Sequence, residues 1–231
     1  MSHSRFRAAF AAALTLFVLV GSGRRLTAQA TQATQAGIEQ ARRDSVRRPY
    51  TAGDIEFMSG MIMHHAQAVK MAGWAASHGA SKSLQIYCGR VAMAQTAEIG
   101  LMKQWLAERN QPVPQIDSAS ADMMAHMNMP GMDHSAMKMM PGMLSPAQMH
   151  QLDVARGVEF DRMFLIFMIQ HHRGALEMVD TLFKTPGAAQ DEIVFPFAND
   201  VHADQTTEID RMQQMLDALP PQLGEPGLDR R

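Results

Sequence analysis

The sequence predicts an all-α protein: an up-down four-helix bundle of two duplicated helical hairpins with a methionine-rich linker between them. Three observations lead there. Asp54, Phe57, Met61, His64, His65, Ala68 and Met71 return as Asp161, Phe164, Met168, His171, His172, Ala175 and Met178 at a constant offset of 107. Val91, Gln95, Glu98, Ile99, Met102 and Leu106 return as Val201, Gln205, Glu208, Ile209, Met212 and Leu216 at an offset of 110. No segment shows the period-two alternation of a half-buried strand. A duplicated helix that carries a His-His pair in each copy implies two equivalent half-sites made of metal-binding side chains.

The elements follow in order. Residues 1–30 read as an export signal, with Arg5 and Arg7 ahead of the apolar run Ala8 to Val20 and a small-x-small site at Ala28-Gln29-Ala30. The run is short for a membrane span, so cleavage is expected rather than anchoring, which places the mature protein in the periplasm or outside the cell. Residues 31–50 are a polar lead-in. The bundle is expected over 51–219, with a first hairpin at 51–109, a linker at 110–144 and a second hairpin at 145–219. A loose tail occupies 220–231.

Thr51 is a plausible N-cap for a helix from Ala52 to Ser77, which Gly79 stops. A second helix is expected from Ser81 to Arg109, ahead of Asn110 and Pro112. Ser145-Pro146 has the N-cap and N1 pattern of a third helix running to Phe183, with a break near Gly157. The fourth is expected from Asp191 to Leu219, with Pro196 limiting its first turn. On a helical wheel, Phe57, Met61, His65, Ala68 and Ala72 fall within about 80° of one another, and their repeats do the same.

Removing residues 1–30 leaves 17 basic against 23 acidic residues, a formal charge of −6, which disfavours nucleic acid as a partner. The single cysteine, Cys88, excludes an intramolecular disulfide. Glu98 and Glu208 lie in the centre of otherwise apolar stripes, and Asp54, His65, Asp161 and His172 also point inward. An unpaired core carboxylate costs several kcal/mol, so each needs a cation, a protonated partner or a metal. A structural reading is open beside the metal one: Glu98 can pair with a protonated His65 or bond a buried hydroxyl, and Glu208 can do likewise. His64 and His171 lie about 100° from their neighbours, so one histidine of each pair is expected to face the core and the other a groove between helices. Met71 and Met178 share a face with His64 and His171 and could join them in thioether–imidazole sites.

Residues 122–143 contain nine methionines and two histidines, broken by Pro130-Gly131 and Pro141-Gly142. Helix packing cannot explain so many thioethers there. They make sense as soft ligands that select Cu(I), with imidazole extending the range to Cu(II). The candidate metal ligands are Met61, His64, His65, Met71 and Glu98 in the first half, and Met168, His171, His172, Met178 and Glu208 in the second. His126, Met129, Met132, His134 and Met137 complete the set in the linker.

The repeated Met-x-x-His-His-x-x-Ala-x-x-Met segment followed by Gln-x-x-Glu-Ile-x-x-Met resembles the bacterial family called domain of unknown function 305. Met61, His64, His65, Ala68 and Met71, then Gln95, Glu98, Ile99 and Met102, carry the resemblance in the first copy, and their repeats carry it in the second. The resemblance implies a ferritin-like helical bundle, export and, for some members, copper binding linked to copper tolerance. Together these readings predict an exported copper-binding protein that buffers or delivers the metal, with a copper-transfer partner and no catalytic turnover. Two alternatives remain at this stage: a di-iron or di-manganese oxidase, whose Glu-x-x-His ligands are missing here, and a metal-free interaction protein.

Overall fold

The computed structural model describes residues 35, 37, 49–116 and 139–221. The expected signal segment, most of the lead-in, residues 117–138 with His126, Met129, Met132, His134 and Met137, and most of the tail lie outside the described residues. Residues 49–116 and 139–221 are all-α, with five helices and no strand. They are α1 (Ala52–Gly73), α2 (Lys82–Glu108), α3 (Pro146–Val154), α4 (Gly157–Lys184) and α5 (Val194–Asp217). Helices α1 and α2 pack as one hairpin and α4 and α5 as another; the hairpins meet chiefly through α1 on α4. Among the described residues no helix is long and apolar enough to cross a membrane.

Local chemistry sets the helix ends. Thr51 caps α1 in a reciprocal box with Asp54, and Ser145 does the same for α3 with Gln148, satisfying amides that a helix start leaves open. The expected third helix is two: the chain leaves helical geometry at Ala155 and Arg156, and Gly157 adopts φ +58°, a left-handed conformation glycine accepts without a Cβ clash. The Gly157 N–H donates to the His78 carbonyl at 2.9 Å, tying that break to the α1–α2 turn. Helix α5 starts at Val194 rather than Asp191, because the Asp191 carboxylate accepts the Ile193 and Val194 amides (2.9 and 3.2 Å) and acts as the cap.

The repeated aspartates find backbone partners. Asp54 Oδ1 accepts the Ala189 N–H at 2.7 Å, in the α4–α5 turn. Asp161 accepts the Ser81 N–H at 3.1 and 3.2 Å, in the α1–α2 turn. Each hairpin's aspartate thus fastens the other hairpin's turn, and the duplication reappears as a reciprocal pair of staples. Buried amide bonds satisfy both carboxylates at positions where an unpaired charge would be costly.

The linker's last residues are not loose. Met143 and Leu144 are buried, the Leu144 N–H donates to Gln67 Oε1 at 2.8 Å, and Gln67 Nε2 donates back to the Leu144 carbonyl at 3.0 Å. Gly142, at φ +73°, lies against Gly174 of α4: a Cβ on Gly174 would stand 2.0 Å from the Pro141 carbonyl oxygen. Residues 140–144 therefore form a strap pressed onto α1 and α4, so the expected exterior loop over 122–143 ends earlier than the sequence suggests.

Candidate metal centre

The two histidines of each pair do different work, as their 100° separation on the helix demands. His65 Nε2 reaches Glu98 Oε2 at 2.5 Å, and His172 Nε2 reaches Glu208 Oε2 at 2.6 Å. These contacts stay within one hairpin. His64 and His171 turn instead across the α1–α4 interface, where their rings stack with centroids 3.8 Å apart and planes at 37°. All four histidines are buried. His64 and His171 are thus the members expected in a groove between helices, and the second hairpin buries that groove.

Donor geometry fixes which ring nitrogens remain available. His64 Nε2–H donates to the Pro141 carbonyl at 3.1 Å. In His64, His65 and His172 the Nε2 is engaged by an oxygen, while each Nδ1 is buried with no hydrogen-bond partner among the described residues. His171 makes no hydrogen bond of good geometry at either nitrogen, having only a weak interaction with the His64 backbone. Burial first, then the positive charge His65 would carry, lowers the His64 pKa to about 3, against the opposing pull of the Pro141 carbonyl. Burial, followed by His64, His172 and His65, holds His171 well below the usual imidazole range, and the His64 backbone opposes this only in part. Both rings are neutral at pH 7. With its Nε2–H given to Pro141, His64 therefore presents a bare Nδ1 lone pair. A histidine whose second nitrogen is held by a carbonyl or carboxylate has the arrangement common to metal-ligating imidazoles.

The carboxylates complete a second feature. Glu98 and Glu208 are about one-quarter exposed. Asp204, one turn before Glu208, is exposed; slight burial and then the nearby Glu98 and Glu208 raise its pKa. Gln95 and Gln205, one turn before those glutamates, are buried with unpartnered amide atoms. Their repetition was visible in the sequence, yet nothing in their residue type singled them out. Among the described residues no three His, Cys, Asp or Glu side chains gather as a metal-holding group.

The methionines divide. Met61, Met71 and Met168 are fully buried within apolar clusters, where a flexible side chain fills space. Met178 is half-buried and lies beside Met140 of the strap near Gly60. Burial and then Asp161 push the Cys88 thiol up to about 12, so it is not a thiolate at neutral pH.

An internally duplicated helical protein with His–Glu pairs inside each half, and two neutral imidazoles stacked between the halves, is the class this geometry defines. The chain belongs to the family described as "Domain of unknown function (DUF305)", whose model matches residues 54–216. It is similar to a DUF305 protein of known crystal structure from Streptomyces coelicolor, 24% identical, covering 71% of this chain and 92% of that one with a TM-score of 0.57. It is also similar to CopM in its Cu(I)-bound form, 25% identical over 73% of this chain and 97% of that one, TM-score 0.52. The Cu(II)-bound form of CopM is 26% identical, with 71% and 95% covered and a TM-score of 0.51. No curated protein matches the chain.

Proposed function

We propose that the protein is an exported copper-binding protein that buffers copper or passes it to a transfer partner, without catalytic turnover. Copper is its cargo. The proposed frame is a ferritin-like four-helix bundle of two duplicated hairpins joined by the Met/His-rich segment. The expected simple up-down order does not hold, because α1 and α4 run antiparallel, which requires the joining segment to cross the length of the bundle. One observation carries the reading above others: buried, neutral imidazoles at the α1–α4 interface keep ring nitrogens without hydrogen-bond partners among the described residues. An unpartnered buried polar atom is costly, and a metal ion is the occupant for which such a nitrogen is suited. Thioethers add the preference for Cu(I), and imidazoles the capacity for Cu(II). The likeness to CopM, solved with both copper states, supports the same assignment.

The described carboxylates and imidazoles do not gather in threes, which favours thioether-completed copper sites over a carboxylate-rich di-metal oxidase centre. Competition of the chain lacking residues 1–30 against a chromophoric Cu(I) chelator is expected to show binding well beyond that of a surface histidine. The same chain given Fe(II) and oxygen is expected to consume no oxygen catalytically. Cu(I) affinity equal to that of an exposed imidazole, or sustained oxygen turnover, would overturn the proposal.

A further inference from the structure

The duplication is broken at one position, and the break has a structural consequence. At the offset of 107, Gly60 of α1 corresponds to Phe167 of α4. The two helices run antiparallel at their contact, so Gly60 lies opposite Met178 while His64 lies opposite His171. A Cβ built on Gly60 would stand 3.2 Å from Met140 Sδ and 3.3 Å from Met178 Cε. Glycine thus leaves a notch in which two thioether side chains, one from the strap and one from α4, converge. Both are half-buried, so solvent reaches them. At the equivalent place in the other half, Phe167 packs on the apolar cluster that contains Met71, and Met71 is fully buried.

The notch connects to the imidazoles. His64 is one turn from Gly60 on α1, and its Nε2–H is held by Pro141, the residue after Met140. His171, stacked on His64, makes no hydrogen bond of good geometry at either ring nitrogen among the described residues. Met178 is two turns from His171 and on the same face of α4. Soft sulfur at the opening and neutral nitrogen behind it are donors suited to a soft monovalent cation.

We propose that Met140 and Met178 form a single thioether port for Cu(I) or Ag(I) at the Gly60 notch, leading to His64 and His171, and that Phe167 closes its pseudo-symmetric counterpart. The inference rests on the copper-binding reading and adds number and place to it: one port, where the sequence implied two equivalent half-sites. Entry proceeds by ligand exchange alone, with no change of oxidation state.

The test is methionine footprinting of the full chain. Peptide mass spectrometry follows dilute hydrogen peroxide treatment in chloride-free buffer, with and without silver nitrate. Met140 and Met178 are expected to react in the metal-free chain and to lose that reactivity together when Ag(I) is added. Met178→Leu, which keeps the volume but removes the donor, is expected to restore the reactivity of Met140 in the presence of Ag(I). Met71→Leu is expected to leave protection at both positions intact. If Ag(I) protects only methionines within residues 117–138, the port is overturned while soft-metal binding stands. If Ag(I) protects no methionine, both fail. If Met140 and Met178 resist peroxide without metal, the notch is closed to solvent and the port is overturned.

Discussion

Asp191→Ala is expected to destabilise the protein by about 3–5 kcal/mol, the cost of leaving a buried charge without its counter-ion. Asp191 Oδ2 holds Arg109 at 2.6 Å, and both side chains are buried. Asp191 Oδ1 accepts from Trp105 Nε1 at 3.0 Å and from the amides that open α5. Arg109 in turn lies over the Trp105 ring, 4.3 Å from its centroid. Glu108 is the nearest alternative partner, at 3.9 Å, too far for a strong bond. Truncation therefore leaves an uncompensated guanidinium, an indole N–H without its acceptor and an uncapped helix at once. Burial pushes the Asp191 carboxyl up, but the bonds from Trp105, Ile193, Arg109 and Val194 together hold it below its ordinary value. Its contribution is accordingly present above the unfolded carboxylate range near pH ~4 and lost as pH falls through the folded value. Urea unfolding is expected to show a lower midpoint at unchanged slope. A loss under about 1 kcal/mol would show that the cluster is a surface-like ion pair in its energetics.

Metal-free protein is expected to lose stability steadily as pH falls from 7 to 5, by up to about 1.4 kcal/mol per pH unit for each of His64 and His171. The sign follows from the lowered folded pKa values. Above the unfolded histidine value of about 6.5, neither state binds the proton and the contribution is complete. Below it the unfolded chain takes up protons that the buried rings refuse, so unfolding gains, for His64 down to about 3. Among the described residues no carboxylate is hydrogen-bonded to either ring; Glu98 and Glu208 serve His65 and His172. Replacing His64 and His171 together by leucine is expected to flatten the dependence across this range, measured as urea midpoints in a chelating buffer. A flat profile in the parent, or an unchanged slope in the variant, would show that these rings accept protons in the folded state.

The all-α class and the helix starts at Ala52 and Pro146 were legible because capping residues and the 3.6-residue period are local signals. So was the inward face of both His-His segments. The hairpin pairing of His65 with Glu98 was foreseen as a structural possibility, since both lie on inward stripes. What escaped the sequence depends on contacts between halves. Asp54 and Asp161 read as inward charges in need of a cation, a protonated partner or a metal, and only the folded turns show amides waiting for them. The split between His64 and His65 was legible from the wheel, but the contact of His64 with His171 needs the second hairpin, which the wheel of a single helix omits. The strap was hidden because Pro141-Gly142 reads as a loop signal, whereas the close approach of Gly142 to Gly174 joins residues 32 apart in the chain. Asp191 read as the first helical residue because a cap and a first turn share composition. The Gly60–Phe167 mismatch was present in the aligned repeats, but its meaning required knowing that α1 and α4 face each other.

The central claim is that the histidines between the halves bind copper and are not solely a structural polar network. Electron paramagnetic resonance of Cu(II) tests it most directly, on a chain whose methionines and histidines within residues 117–138 are replaced by serine. The spectrum at one equivalent of copper is expected to carry nitrogen superhyperfine structure. That structure is expected to disappear when His64 and His171 are also changed to leucine. An oxygen-only spectrum in the first chain, or the same nitrogen pattern in both, would contradict the claim and leave His64 and His171 as packing residues.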